Sequence, residues 1–143
     1  MTDPQDLYQA EILEHDENPR NEGRLDDPTA SARVSNPLCG DRVQVDLQIE
    51  DGVIRDIRFK GRGCAISRAS ASMMTELVQG LPADEAAELE AKIQQWLDSE
   101  ARMPPEGLER LEPLGAVRAF PSRKRCATLA WSSLTKALNL PRP

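Results

Sequence analysis

Arg42-Val-Gln-Val-Asp-Leu-Gln-Ile-Glu-Asp-Gly-Val-Ile-Arg-Asp-Ile-Arg-Phe59 is the stretch that decides the fold. Val43, Val45, Leu47 and Ile49 alternate with Arg42, Gln44, Asp46 and Gln48, the two-residue period of a half-buried strand. Asp51-Gly52 then supplies the pair favoured in a type I′ hairpin, where both central residues need positive φ. The return strand is expected to set Val53, Arg55, Ile57 and Phe59 on one face. Upstream, Val34 falls in a short strand before Asn36-Pro37, so the expectation is a small antiparallel sheet of about three strands.

Outward from the hairpin the period changes. Ile66, Ala69 or Ser70, Met73 and Leu77 form a helical stripe after Gly61-Arg-Gly-Cys64, and Gly80-Leu-Pro82 ends it. Ala83 to Ser99 reads as one further helix, with Leu89, Ile93, Trp96 and Leu97 inward and its acids outward. Met103-Pro-Pro105 is a linker, and Glu106 to Leu111 is expected to form a helical turn. Pro121 suits the first turn of a last helix, where no amide hydrogen is needed, with Ala127, Trp131, Leu134 and Leu138 as its stripe. Before the sheet, Leu7, Ala10 and Leu13 give a short helix over Asp6 to Glu14, stopped by Pro19; Glu22 to Thr29 is loop. The expected class is α+β, with helices packed on one face of the sheet.

The chain has 143 residues, of which 39% are apolar and 3% aromatic, enough for one domain with an aliphatic core. No repeat is visible, and no apolar run approaches the roughly 20 residues that cross a bilayer. Met1 to Glu17 is polar and acidic where a signal peptide would be apolar, so the expectation is a cytoplasmic protein with no membrane contact. The net charge of −6 is uneven: residues 1–30 hold nine acids and two bases, whereas residues 117–143 hold six bases and no acid. The simplest expectation is that these two ends pack together. A nucleic-acid site is not expected, because the basic end is short and offers little stacking surface beyond Trp131.

The three cysteines, Cys39, Cys64 and Cys126, form no Cys-x-x-Cys pair, and an odd count argues against a disulfide framework. Each stands at the end of an element. Cys39 lies in the turn Asn36-Pro-Leu-Cys-Gly-Asp41, two residues before the carboxylate of Asp41. Cys64 lies where strand gives way to helix, so backbone amides favour its thiolate. Cys126 follows Arg123-Lys-Arg125, whose charge also favours a thiolate. Three thiolates and one carboxylate would complete a tetrahedral zinc site; three inert buried thiols fit the same residues. Gly61-Arg-Gly63 is a poor phosphate loop, lacking both the Lys-Ser/Thr and a third spaced glycine. His15, the single histidine, sits in an acidic segment expected to be exposed, and reads as a surface or structural residue rather than a base.

At these segments the chain resembles the U-type iron-sulfur assembly proteins, the IscU/NifU-like family. The matching stretches are His15-Asp-Glu-Asn-Pro-Arg-Asn-Glu-Gly23, Asn36-Pro-Leu-Cys-Gly-Asp41, Gly61-Arg-Gly-Cys-Ala-Ile-Ser-Arg-Ala-Ser-Ala-Ser-Met-Met74 and Arg123-Lys-Arg-Cys-Ala-Thr-Leu-Ala-Trp131. They run in family order over about residues 7–139. Two departures place the resemblance nearest the SufU zinc-dependent sulfurtransferase branch. IscU-type scaffolds carry a histidine immediately before the third cysteine, where this chain has Arg125. Here 61 residues also separate the second and third cysteines, and they hold an acidic helical stretch, about 82–112, like the SufU insertion.

The resemblance implies a single IscU/SufU-like domain over residues 1–143 with Zn2+ held by Cys39, Asp41, Cys64 and Cys126. It implies that Cys39 accepts persulfide sulfur from a SufS-type pyridoxal-phosphate cysteine desulfurase and passes it toward the downstream Fe-S assembly machinery. A histidine of the desulfurase would replace Cys39 on the metal and free its thiolate, with Arg125 steadying the anionic site. The alternative is an IscU-like scaffold that assembles a cluster on the same cysteines.

Overall fold

The computed structural model describes residues 9–37 and 40–139. Its elements run α1 (Ala10–Glu17), β1 (Ala30–Asn36), β2 (Asp41–Glu50), β3 (Val53–Arg62), α2 (Ala65–Val78), α3 (Ala83–Ala86), α4 (Leu89–Leu97), a 3-10 segment (Glu109–Ala119) and α5 (Pro121–Leu138). The strands form one antiparallel sheet in the order β1-β2-β3. The expected α+β class and three-stranded sheet are both present.

Asp51 (φ 53°) and Gly52 (φ 76°) make the tight turn between β2 and β3 with the positive φ pair that a type I′ turn requires. The pairing is not uniform. Leu47 faces Ile57 and Gln48 faces Asp56, but Ile49 faces Ile54, which leaves Arg55 as an extra residue on β3. This bulge corrects the expected inward face: Ile54, Ile57 and Phe59 are buried, while Arg55 turns to solvent and Val53 is half-buried.

The covered face of the sheet packs on α2 and α5. Val43, Val45, Leu47 and Phe59 from the strands meet Ile66, Met73 and Met74 of α2 and Trp131 and Leu134 of α5 in one continuous core. Three hydrogen bonds fix α5 within it. Trp131 donates its indole N–H to Ser70 Oγ (3.2 Å), and Ser70 donates to the Ala127 carbonyl (2.6 Å). Ser133 donates to the Val43 carbonyl of β2 at 2.8 Å. Buried hydroxyls so placed set the rotation of α5, and hence where Cys126 points.

Three expectations about the helices need correction. Ala83 to Ser99 is not one helix: α3 stops at Ala86 and α4 starts at Leu89, although Leu89, Ile93, Trp96 and Leu97 are inward as expected. The helical turn near 106–111 is a longer 3-10 segment that accommodates Pro113. In α1 the buried residue is Ile12, whereas Leu13 is 40% exposed and Leu7 lies outside the described residues. Among the described residues, the acidic first helix does not pack mainly on the basic last one as expected. α1 lies mainly on α2, where Arg20 donates its backbone N–H to Ser72 Oγ (2.8 Å) and Asn21 donates to Thr75 Oγ1 (3.0 Å). His15 is not exposed as expected: its ring is 14% exposed and hydrogen-bonds Ser72 Oγ through Nδ1 at 2.7 Å.

Candidate metal centre

The sheet and two helices end at one corner. Asp41 opens β2, Cys64 is the N-cap of α2 with extended backbone (φ −72°, ψ 169°), and Cys126 lies in the first turns of α5. One carboxylate oxygen of Asp41 and the Sγ atoms of Cys64 and Cys126 all lie within 4.8 Å of one another. Asp41 and Cys126 are buried, and Cys64 is half-buried. Three donors separated by 22 and 61 intervening residues therefore meet at one point. Cys39, the expected fourth donor and sulfur acceptor, lies outside the described residues.

The backbone around the corner is built for close approach. A Cβ at Gly63 would lie 2.6 Å from Asp41 Cγ and 2.5 Å from Ser67 Oγ, so only glycine leaves room for the carboxylate. Gly61 has a related reason, since a Cβ there would meet the Arg42 carbonyl at 2.9 Å. Ser67 donates to the Cys64 carbonyl (3.1 Å), and the Cys64 N–H points at Asp41 Oδ2 at 3.5 Å.

The electrostatics suit a cation. The hydrogen bond from the Cys126 thiol lowers the Cys64 pKa to about 6, helped by the backbone N–H groups of Ser67 and Ile66 and opposed by burial and the Asp41 charge. Cys126 shifts the other way. Its thiol is pushed up, first by the hydrogen bond to Cys64, then by burial and the neighbouring negative charges, with Arg123 opposing. The expectation of a lowered Cys126 pKa is thus corrected, because the first thiolate forms on Cys64 and repels the second. Two sulfurs and a carboxylate converging in a largely buried corner are a donor set that a thiophilic dication fits.

The arginine hydrogen-bonded to Cys126 is Arg123. Arg125 is exposed and lines a shallow cavity with Gln94, Leu97, Asp98, Lys124 and Thr128. Sequence reasoning named Arg123 only as one of three flanking cations, gave the supporting role to Arg125, and missed Ser67. The helical spacing of Arg123, three residues before Cys126, was the available signal for its role.

Comparison with known proteins places the chain in a family. Residues 7–139 match the family described as NifU-like N terminal domain. The chain is 36% identical over 132 residues to the zinc-dependent sulfurtransferase SufU of Bacillus subtilis, covering 92% of this chain and 89% of that one. It is equally 36% identical to the iron-sulfur cluster assembly scaffold protein IscU of Streptococcus pyogenes, covering 92% and 82%. Among solved structures, the N-terminal part of a NifU-like protein from Brucella abortus superposes with a TM-score of 0.86 at 29% identity, covering 94% of this chain and 93% of that one. A candidate SUF-system scaffold from Fervidobacterium islandicum gives 0.88 at 26% identity, covering 96% and 100%.

Proposed function

We propose, for a chain that belongs to the NifU-like N-terminal domain family of iron-sulfur cluster assembly proteins, that this member is a zinc-dependent sulfur carrier. The observation that carries the reading is the meeting of Asp41, Cys64 and Cys126 within 4.8 Å at the junction of three elements. With Cys39 as the fourth donor these residues would hold Zn2+, which supplies the positive charge that keeps clustered thiols ionised near neutral pH. The likeness to a SufU named zinc-dependent supports the choice of metal. The reading takes residues 1–143 as one domain, with about 82–112 as an acidic helical insertion. It is a cytoplasmic reading, and among the described residues no helix is long and apolar enough to cross a membrane.

In this reading a SufS-type cysteine desulfurase presents a cysteine persulfide. The Cys39 thiolate attacks the outer sulfur of that persulfide, forming a new S–S bond. The donor's own S–S bond breaks, and the desulfurase cysteine leaves as a thiolate. The exchange is redox-balanced and needs no outside oxidant. The same exchange passes the sulfur to the next thiol of the Fe-S assembly machinery. Asp41 lies beside the sulfurs, and Arg123, with Arg125 as the expected support, offsets the charge of the thiolates.

The experiment is persulfide detection by mass spectrometry after incubation with the desulfurase, cysteine and the metal-loaded chain. Sulfur is expected on Cys39, with increased alanine release. A Cys39→Ser chain that accepts sulfur and stimulates as well as the parent would sink the mechanism. The equal identity to an IscU scaffold favours a second reading, a cluster scaffold on the same ligands. Under it, anaerobic reconstitution yields a stable coloured cluster that passes intact to an apo-protein, and zinc inhibits.

A further inference from the structure

The outer face of the sheet carries its charges unevenly along the strands. Away from the metal corner two ion pairs match opposite charges, although exposed Glu50 and Arg55 have none among the described residues. Arg24 pairs with the buried Asp46 at 2.7 Å, and Arg58 pairs with Asp56. At the metal-corner end the charges are not matched. Arg42 of β2 stands directly opposite Arg62 of β3, Gln44 stands opposite Lys60, and Arg33 of β1 stands opposite Gln44. Arg33, Arg42, Lys60 and Arg62 are exposed, and among the described residues none has a carboxylate within ion-pair distance.

Strands lie about 4.8 Å apart and residues sharing a face about 7 Å apart, so these four charges act within roughly one Debye length of each other. Like charges directly opposite on a sheet destabilise it. The chain has a net charge of −6, yet no carboxylate of the described residues compensates this patch.

The patch is also continuous with the metal corner. An open groove lined by Gly40, Asp41, Arg42, Arg62 and Gly63 shares both arginines with a second groove lined by Arg33, Gln44, Lys60 and Gly61. A macromolecule that brings a reactive sulfur to the corner must therefore sit beside or upon the strip. We infer that the Arg33–Arg42–Lys60–Arg62 strip is an electrostatic docking surface for an acidic face of the sulfur donor, the cysteine desulfurase. The identity of this partner rests on the sulfur-transfer reading. The strip steers encounter and fixes the orientation in which the corner meets the donor persulfide. The flat strip presents no aromatic side chain on which bases could stack, so a protein partner suits it better than a single-stranded nucleic acid.

The test measures association of the metal-loaded full chain with the desulfurase encoded in the same genome, by biolayer interferometry at low and high salt (about 50 and about 300 mM). Association with the parent chain should slow by about tenfold or more at high salt. The Arg33→Glu/Lys60→Glu chain should bind about tenfold or more weakly at low salt and lose most of the salt dependence, while Arg33→Lys/Lys60→Arg keeps the parent values. Thermal melting checks each chain; if the double reversal does not fold, Arg33→Gln/Lys60→Gln replaces it, with a loss of about threefold expected.

Parent and reversed chains that bind equally well overturn the docking strip and leave sulfur transfer standing. A parent chain that neither binds the desulfurase nor gains a persulfide overturns both. Strip-dependent capture of a DNA duplex or of phosphatidylserine vesicles, without capture of the desulfurase, overturns the assigned partner.

Discussion

Helix α2 carries two buried polar regions that look alike in composition and differ in what they do. Along its length, Ser70, Ser72 and Thr75 are buried, and each finds its partners inside the protein. Ser70 joins Trp131 to the Ala127 carbonyl, Ser72 joins His15 to the Arg20 amide, and Thr75 receives Asn21. At its N-terminus, Cys64 meets another thiol and a carboxylate, so the protein gathers groups of like charge at one point. A polar cluster that satisfies itself fastens elements together. One that concentrates negative charge is incomplete until a cation joins it.

That contrast can be broken by substitution, and the largest effect belongs to the fastening region. Trp131→Ala removes a fully buried indole and the Ser70 contact, and should cost about 3–5 kcal/mol in urea unfolding. A loss under about 1 kcal/mol would mean that α5 is held from elsewhere. At the other region, Gly63→Ala drives a methyl group into the Asp41 carboxylate. Zinc affinity measured by chelator competition should fall about 10- to 100-fold, with little change in melting of the metal-free chain. Equal affinity in the two chains would remove the distinction between the regions.

A smaller effect tests the α1 contact. Ser72→Ala leaves the Arg20 amide and the His15 ring without their partner, for a loss of about 1–2 kcal/mol with metal content unchanged. The smallest is a pH effect. Burial lowers the pKa of His15, aided by Arg20 and opposed by Glu76, so the folded chain keeps the ring neutral where the unfolded chain protonates it. The unfolded state then binds more protons as pH falls below about 6.5, and stability declines over that range. Unfolding free energies between neutral and mildly acid pH should show the decline, and His15→Gln should flatten it. The slope is best compared in chelated samples, because zinc release in acid would otherwise add to it.

The hairpin was legible because a two-residue period and an Asp-Gly turn both speak locally, and the stripe of α5 was legible for the same reason. The bulge at Arg55 was not. One extra residue has no compositional mark, and Ile54 competes with Arg55 for the inward position on apolar character alone. The break between α3 and α4 was equally hidden in an acidic, alanine-rich run with neither glycine nor proline to announce it. Each cysteine announced a special backbone position, but the convergence of Cys64 with Cys126 is a tertiary fact set by the Ser70 and Ser133 contacts of α5. Sequence reasoning credited Cys126 with a lowered pKa from its flanking cations. It could not see that a second sulfur would lie against it and reverse the sign.

The chain order of the three donors has a consequence for biosynthesis. Asp41 and Cys64 leave the ribosome long before Cys126, which arrives on the final helix after the whole acidic stretch has been made. A nascent chain that has emerged only as far as the sheet and α2 therefore lacks one thiol of the set. Such a chain would offer an incomplete donor set to a metal ion. Under the zinc reading, loading would report that translation and packing of α5 are finished, and a chain truncated before Cys126 would load poorly.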